Sequence, residues 1–444
     1  MKTILVLGAG RSSSALIAYL LEFARKSNNR VVVGDLSYEL ACEKVRDVEA
    51  GRAIAFNITD DRQSAEAIRT ADVVISLLPP QLHPTVARHC LTHAKHLLTA
   101  SYVSEEMQNL HDAATQKGLL FLNECGLDPG IDHMSAMEII HRIKQTGGKL
   151  KSFESFTGGL VAPDTDPENP WRYKFTWNPR NVVMAGQGTA KYLHNGIHKY
   201  IPYHQLFKRT TAIMVPGYGQ FEGYANRNSL TYINAYGLDE IKTMLRGTLR
   251  YKGFCKAWDI LVQLGCCDDT YTMKHAAGMT HADFIEAFLV DGSGPVQQRL
   301  VEHFGLHPDG DEIKRLSWSG FFSDEKIGLT EGTPAQITEH ILNKKWKLNA
   351  ADKDMIVMWH RFVYETGGKQ HEIQSSLVVT GEDSVNTAMA KTVGLPLGMA
   401  ARLLIEGKIK ATGVQLPIRP EIYTPILKEL KEYGIGFKEQ ERTL

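Results

Sequence analysis

Two short segments of this sequence carry the residue types that chemistry needs. Gly8-Ala9-Gly10-Arg11-Ser12-Ser13 sets two glycines one residue apart, and the run from Asn123 to His133 holds Glu124, Asp128, Asp132 and His133 within eleven residues. The first pattern suits an anion, because glycine has no Cβ to keep a phosphate away from backbone amides. The second offers groups that take up and release protons. Asp128 precedes Pro129, which keeps its backbone extended and can aim the carboxylate at a cleft. The same run reads equally well as an interdomain turn with Asp132 capping a helix.

Other reactive residue types are less pointed. The six cysteines, Cys42, Cys90, Cys125, Cys255, Cys266 and Cys267, form no CxxC and no spaced framework. Reduced thiols and a cytosolic setting are therefore expected, with Cys125 a small buried hydrophobe rather than a reactive thiol. His83, His89, His93 and His96 are the densest histidine cluster. His89 and His93 have i, i+4 spacing, but no acidic partner is evident on that face. A solvated helix face is expected, and no metal. Arg227 and Arg250 stand in turn-like contexts; they are candidate forks for a carboxylate, or plain surface residues.

The elements that must position these groups alternate in type. Thr3–Leu7, Val31–Val33, Ala53–Ile58, Asp72–Leu78, Leu97–Ala100 and Leu119–Asn123 are apolar runs separated by helical patterns, including Tyr38–Val48 and Ser104–Lys117. Strands this apolar are covered on both faces, which predicts an α/β fold with a Rossmann-like, doubly wound parallel sheet. Ser152–Pro170 suggests turns between short strands. Met355–Tyr364 and His371–Thr380 predict a hairpin through Gly367-Gly368. Helical patterns fill 280–345, and two helical pieces flank Gly394-Leu395-Pro396. The expected domains are 1–130, a mixed α/β domain over 131–385 with a helical insertion at about 235–345, and C-terminal helices over 386–444. A chain of 444 residues with 50 basic and 50 acidic side chains has no net charge, which argues against nucleic acid and against an anionic membrane surface. The opening apolar run ends at Gly8, too short for a signal peptide, and no segment approaches the ~20 apolar residues of a membrane span.

In this alternating frame the glycine turn follows the first strand and opens the first helix, where a dinucleotide pyrophosphate binds. Ser13 stands where a third glycine or alanine is usual. Asp35 ends the second strand; its carboxylate can take an adenine-ribose hydroxyl and would repel a 2′-phosphate, which favours NAD over NADP. Arg11 is the counter-signal, since an arginine beside the turn could pair with that phosphate. Substrate is expected beyond the carboxyl ends of the strands, at Leu77-Leu78-Pro79-Pro80, Ala100-Ser101-Tyr102 and the run ending in His133.

These segments resemble saccharopine dehydrogenase of the glutamate-forming type. The resemblance rests on Ser101-Tyr102, Gly126-Leu127-Asp128-Pro129-Gly130-Ile131-Asp132-His133, Gly158-Gly159-Leu160, Tyr173-Lys174-Phe175-Thr176-Trp177, Asn226-Arg227 and Arg246-Gly247-Thr248-Leu249-Arg250-Tyr251. It covers residues 1–260 well, Thr387–Gly407 more loosely and 265–380 poorly. It implies a nucleotide domain, a mixed α/β substrate domain, and a C-terminal stretch that packs back on the first. The implied reaction oxidises saccharopine, a secondary amine, to an imine, which water converts to L-glutamate and 2-aminoadipate 6-semialdehyde.

By the same resemblance, Ser101, Tyr102, Arg227, Thr248, Leu249 and Arg250 are expected at the substrate. Gly8, Gly10, Arg11, Ser12, Ser13, Asp35, Leu77, Leu78, Asp128 and Thr157 are expected at the nucleotide, with NAD favoured and NADP possible. Asp128 and Tyr102, with Lys174 third, are the candidate proton acceptors. Thr157 replaces a common cysteine and Val161 a common proline. The reductase half of the animal bifunctional enzyme and a transit peptide are both missing from the sequence, which predicts a stand-alone cytoplasmic protein; a homodimer is expected on base rates. Competing readings are a carboxyspermidine- or homospermidine-type oxidoreductase and a non-catalytic NAD-binding regulator.

Overall fold

The computed structural model describes residues 1–46, 49–185 and 187–444. The chain divides into two units. Met1–Gly147 and Val385–Phe437 form the first, and Gly148–Ser384 with Lys438–Leu444 the second. The boundary expected after residue 130 therefore moves. The helix Ile131–Gln145, with ten buried residues, belongs to the first unit.

In the first unit, β1 (Thr3–Leu7), β2 (Arg30–Asp35), β3 (Gly51–Ala55), β4 (Val73–Ser76), β5 (His96–Thr99) and β6 (Leu120–Leu122) form one sheet with the late strand Gly413–Gln415. Every pairing is parallel, in the order Gly413–Gln415, β6, β5, β4, β1, β2, β3. This is the doubly wound order, with its reversal between β1 and β4, and it sets a crevice at the carboxyl ends of those strands. All four residues of β4 are buried, as the apolar runs required. The helix Tyr38–Val45 covers most of the expected Tyr38–Val48; Asp47 and Val48 lie outside the described residues. The expected helix Ser104–Lys117 is two short ones, Glu105–Gln108 and His111–Gln116.

After Thr387 a single helix, Ala388–Ile405, replaces the two expected pieces, with Pro396 inside it. Its small residues allow a close approach to the helix Ser14–Ser27. A Cβ added at Gly394 would stand 2.8 Å from the Leu16 nitrogen, and one at Gly398 2.7 Å from the Tyr19 ring. By length and composition this helix could cross a membrane, contrary to the sequence expectation, but 72% of it is buried within the protein. Its apolarity is that of a core helix.

The second unit is built on a mixed sheet. β7 (Lys149–Val161), β8 (Ala190–His194), β9 (Ile197–Ile201), β10 (Thr210–Val215), β11 (Gly219–Ala225), β12 (Thr243–Tyr251), β13 (Asp354–Thr366) and β14 (Lys369–Thr380) contribute, with Lys438–Thr443 at one edge. The order β10-β11-β12-β7-β13-β14 has one parallel pair, β12 with β7. The Gly158-Gly159 region, expected as turns, lies inside a thirteen-residue strand. Gly158 is there because β12 passes close by: an added Cβ would lie 2.7 Å from the Leu249 carbonyl oxygen. The hairpin through Gly367 and Gly368 forms, with both glycines at positive φ, as a two-residue turn requires. The helical insertion starts after β12 with Phe254–Leu264, not at 235, and runs to the helix Pro334–Trp346. Trp171, Trp258 and Trp346, each at most 1% exposed, pack edge-on or stacked around Phe254 and close that core.

Candidate active site

The glycine turn of the first unit is shaped by its own backbone. Gly8 has φ +107 and donates its N–H to the Gly34 carbonyl at 2.8 Å, and Leu77 donates to the Leu7 carbonyl at 2.8 Å beside it. A Cβ at Gly8 would press on the Leu77 carbonyl oxygen at 3.2 Å, whereas one at Gly10 would meet nothing within 4 Å. Gly10 thus borders open space just before the single turn Arg11–Ser13 and the helix Ser14–Ser27. Ser13 is fully buried and returns its hydroxyl to the Gly10 carbonyl at 2.8 Å, so a serine fits where a smaller residue is usual. Asp35 closes the far side. Its Oδ2 accepts from the Ala9 N–H at 2.7 Å and its Oδ1 from the Ser37 N–H at 3.0 Å. The turn, the open edge at Gly10 and this carboxylate fit a dinucleotide.

The candidate proton acceptors Asp128 and Tyr102 lie in the loops beyond β6 and β5. The loop after β6 is knotted: Gly126 donates to the Pro129 carbonyl at 3.0 Å, Ile131 to the Gly126 carbonyl at 2.9 Å, and Gly130 to Asp132 Oδ1 at 2.6 Å. Only glycine fits at 130, where φ is +149 and an added Cβ would lie 2.0 Å from the Gly126 oxygen. The knot presents Asp128, and Tyr102 donates its hydroxyl to Asp128 Oδ1 at 3.4 Å. That is long for an O–H···O bond, so the pair is close without being locked. Asp128 and Tyr102 are therefore brought together, with Ser101 adjacent.

The sequence singled out Glu124 and His133 but not how they pair behind Asp128 and Tyr102. Glu124 adopts φ +55 and is buried. Its Oε1 accepts from the Val103 N–H at 3.0 Å, and its Oε2 lies 2.8 Å from His133 Nε2. Glu124 thereby ties the Ser101–Val103 loop to the helix that carries His133. His83 was missed. It does not lie on a solvated face but is 4% exposed, between Ser76, Thr99 and Ser101. His89, read as lacking an acidic partner, lies 3.3 Å from Asp61. Partners on other elements are invisible to i, i+4 spacing. Cys125 is buried, which pushes its thiol pKa up.

In the second unit, β12 carries Thr248, Leu249 and Arg250. Thr248 is in register with Thr157 of β7 and Tyr224 of β11, so Thr157 and Thr248 share a face with Arg250, two residues on. Thr157 is 7% exposed and its hydroxyl has no hydrogen-bond partner among the described residues. Leu249 alternates to the other face and is fully buried under Gly158, so its side chain is a core group and not a substrate contact. Arg250, expected in a turn, is an interior strand residue with 4% exposure. Its guanidinium lies over the rings of Tyr173 at 5.1 Å, Phe254 at 5.2 Å and Tyr224 at 5.9 Å. Nη1 donates to the Leu249 carbonyl, and Nε has no partner among the described residues. Burial works against its charge, but the neighbouring Tyr224 and Tyr173 hold its pKa up. Arg227 is exposed in a left-handed turn after β11.

Lys174 is no proton acceptor. Its ammonium is 1% exposed and lies 2.8 Å from Asp166 and 2.7 Å from Asp352. Burial alone would lower its pKa, but the hydrogen bonds to the two carboxylates outweigh that and raise it. A cation so held has no lone pair to offer.

Comparison with known proteins then decides the family. The saccharopine dehydrogenase NADP binding domain matches residues 4–122, and the saccharopine dehydrogenase C-terminal domain matches residues 126–435. The chain belongs to the saccharopine dehydrogenase family. The match thus runs through the helical insertion, where the sequence alone showed little resemblance. The saccharopine dehydrogenase [NADP(+), L-glutamate-forming] of Schizosaccharomyces pombe is 32% identical over 99% of both chains. The mitochondrial alpha-aminoadipic semialdehyde synthase of Rattus norvegicus is 35% identical over 99% of this chain but 48% of its own length. The chain spans about half the length of such mammalian relatives. The solved saccharopine dehydrogenase (L-Glu forming) of Saccharomyces cerevisiae superposes with TM-score 0.89 at 32% identity, covering all of both chains. The homospermidine synthase of Legionella pneumophila, at 11% identity over 99% of this chain and 91% of its own, shares the fold alone, with TM-score 0.55.

Proposed function

We propose that this chain oxidises saccharopine, with water and a nicotinamide dinucleotide, to L-glutamate and 2-aminoadipate 6-semialdehyde. Family membership supports the reaction class, and one observation supports the substrate. Arg250 is a buried guanidinium with no carboxylate in ion-pair reach among the described residues. A buried charge without a counter-ion is costly; a substrate carboxylate bound there would offset the cost. Saccharopine is a secondary amine bearing several carboxylates, which an apolar pocket would not hold.

A nicotinamide ring bound at the glycine turn would accept hydride from the substrate carbon. The chain's own groups manage protons. The secondary amine must be neutral before its carbon is oxidised, and the imine must then gain a hydroxyl from water. Asp128 accepts a proton in each step, and Tyr102, 3.4 Å away, relays protons and orients the nitrogen. Ser101, next to Tyr102, is assigned to the substrate with Arg227 and Thr248, and Thr157 and the Leu77-Leu78 turn to the nucleotide. Asp35 favours NAD, since its carboxylate already takes two backbone N–H donors beside the ribose position and would repel a 2′-phosphate. The fungal relatives are named for NADP(+), so the preference of this chain would set it apart from them. Six unpaired cysteines fit a reducing, cytoplasmic setting, and a homodimer is the commonest assembly among soluble oligomers.

The test is a product assay. Saccharopine supplied with NAD or NADP should yield reduced nicotinamide and L-glutamate in equal amounts; lysine with 2-oxoglutarate as products would point to oxidation on the other side of the nitrogen.

A further inference from the structure

Ser76, His83, Thr99 and Ser101 form a chain of hydroxyls around one imidazole. His83 Nδ1 lies 2.9 Å from Ser76 Oγ, while Nε2 lies 2.8 Å from Ser101 Oγ and 3.1 Å from Thr99 Oγ1. The Thr99 hydroxyl also accepts the Ser101 N–H at 3.3 Å. Ser76 and Thr99 are the last residues of β4 and β5, so the cluster sits at the carboxyl edge of the parallel sheet. Sequence places His83 there. Pro79 and Pro80 stop β4, the single turn Pro80–Leu82 folds the chain back, and His83 opens the helix His83–Thr92.

The ring is neutral. Burial, with no charged neighbour contributing, pushes its pKa down to about 4. A neutral imidazole donates through one nitrogen and accepts through the other. Whatever role Ser76 takes at Nδ1, the opposite role is imposed at Nε2, and so on Ser101. Ser76 and Thr99 are at most 1% exposed, whereas Ser101 is half-buried and so the most exposed hydroxyl of the cluster, just beyond the carboxyl end of β5. A leucine at 83 would serve a purely apolar helix start and would spare three buried hydroxyl contacts. The network is what the histidine adds.

We propose that His83 is a positioning residue for the reaction, fixing the rotamer of Ser101 and the direction in which its hydroxyl proton points towards substrate. This rests on the reading of Ser101 as a substrate contact. Ser101 touches the substrate; His83 acts only through it.

Two conservative variants separate positioning from packing. A glutamine amide at 83 reaches the place of Nε2, next to Ser101, whereas an asparagine amide reaches only the place of Nδ1, next to Ser76. In steady-state oxidation of saccharopine by the full chain, His83→Gln should stay close to the wild type. His83→Asn should lose about tenfold or more in kcat/KM for saccharopine, as a misplaced contact does, with the KM for nucleotide unchanged. Ser101→Ala should lose a similar amount, and the Ser101→Ala/His83→Asn double variant no more than Ser101→Ala alone. Losses that multiply in the double variant, or a His83→Gln as impaired as His83→Asn, would overturn the proposal. The imidazole 15N shifts of His83 give a readout independent of turnover. They should move in Ser101→Ala, and unmoved shifts would overturn the contact itself. A wild-type chain inert towards saccharopine, with those shifts responsive, would instead overturn the functional reading and leave the contact standing.

Discussion

Glu222 and Arg250 face one another in register across β11 and β12, and they do not pair. Both Glu222 oxygens are taken by backbone, accepting from Gly253 at 2.8 Å and from Cys255 at 3.2 Å at the start of the helix Phe254–Leu264. The carboxylate directly across the strand pair is thus spent on a helix terminus, where it also meets the positive end of the helix dipole. Arg250 is left among aromatic faces, which stabilise a cation weakly.

This relationship predicts an unusual variant. Arg250→Met keeps the length and removes a buried, unpaired charge, so thermal stability should hold or rise. Its kcat/KM for saccharopine should fall by about a hundredfold, the typical cost of losing one partner of a buried charge pair, while the KM for nucleotide stays put. Melting curves and steady-state kinetics on one preparation check both halves. A large loss of stability with unchanged kcat/KM would make Arg250 a structural residue.

Asp128→Asn should lower turnover by about two to four orders of magnitude, the range for removing a general base. Nucleotide binding, measured by fluorescence titration, should survive. A non-catalytic sensor of nucleotide would keep its response in this variant, whereas an enzyme with Asp128 as its base must lose turnover.

Lys174→Met tests the opposite assignment. Leaving Asp166 and Asp352 without their cation should cost about 3–5 kcal/mol in unfolding free energy, and kcat per folded molecule should be retained. The pH dependence has a definite sign. The folded pKa of Lys174 is raised, so its contribution is complete below the ordinary lysine value of ~10.4. It is lost as pH rises beyond that through the folded value. Denaturant melts from neutral to alkaline pH should show that loss in the wild type and not in Lys174→Met.

His83 carries the complementary acid dependence. Its folded pKa, about 4, lies below the ordinary value of 6.5, so the unfolded chain takes the proton first. Its contribution is present above about 6.5 and is lost as pH falls towards 4, with a span of about 3 kcal/mol. The difference between wild type and His83→Gln in denaturant melts over that window isolates it. Parallel curves would mean that the ring is not held neutral.

How much of this was legible in the sequence follows from the range of each interaction. The parallel sheet could be read because apolar runs and helical periods are local patterns, and so could the Gly8–Gly10 turn, whereas the strand Gly413–Gln415 that joins its edge could not. Asp128 stood out in the carboxylate-rich run beyond β6, and Tyr102 through the family resemblance. The strand through Gly158 was misread because that glycine answers a neighbour 91 residues away, Leu249, and not a local turn. Lys174 looked reactive because Asp166 and Asp352 meet it only on folding. His83 looked solvated because Ser76, Thr99 and Ser101 belong to β4, β5 and the loop beyond it. Buried ion pairs and hydroxyl networks are long-range in sequence, and periodicity does not reach them.

The central claim, oxidation of saccharopine by this chain, is tested most directly by absorbance at the reduced-nicotinamide band, with purified protein and saccharopine, offering NAD and NADP in parallel. Reduction is expected, with L-glutamate formed in equal amount, and faster with NAD than with NADP because of Asp35. Reduction of neither nucleotide, with both still bound, would contradict it.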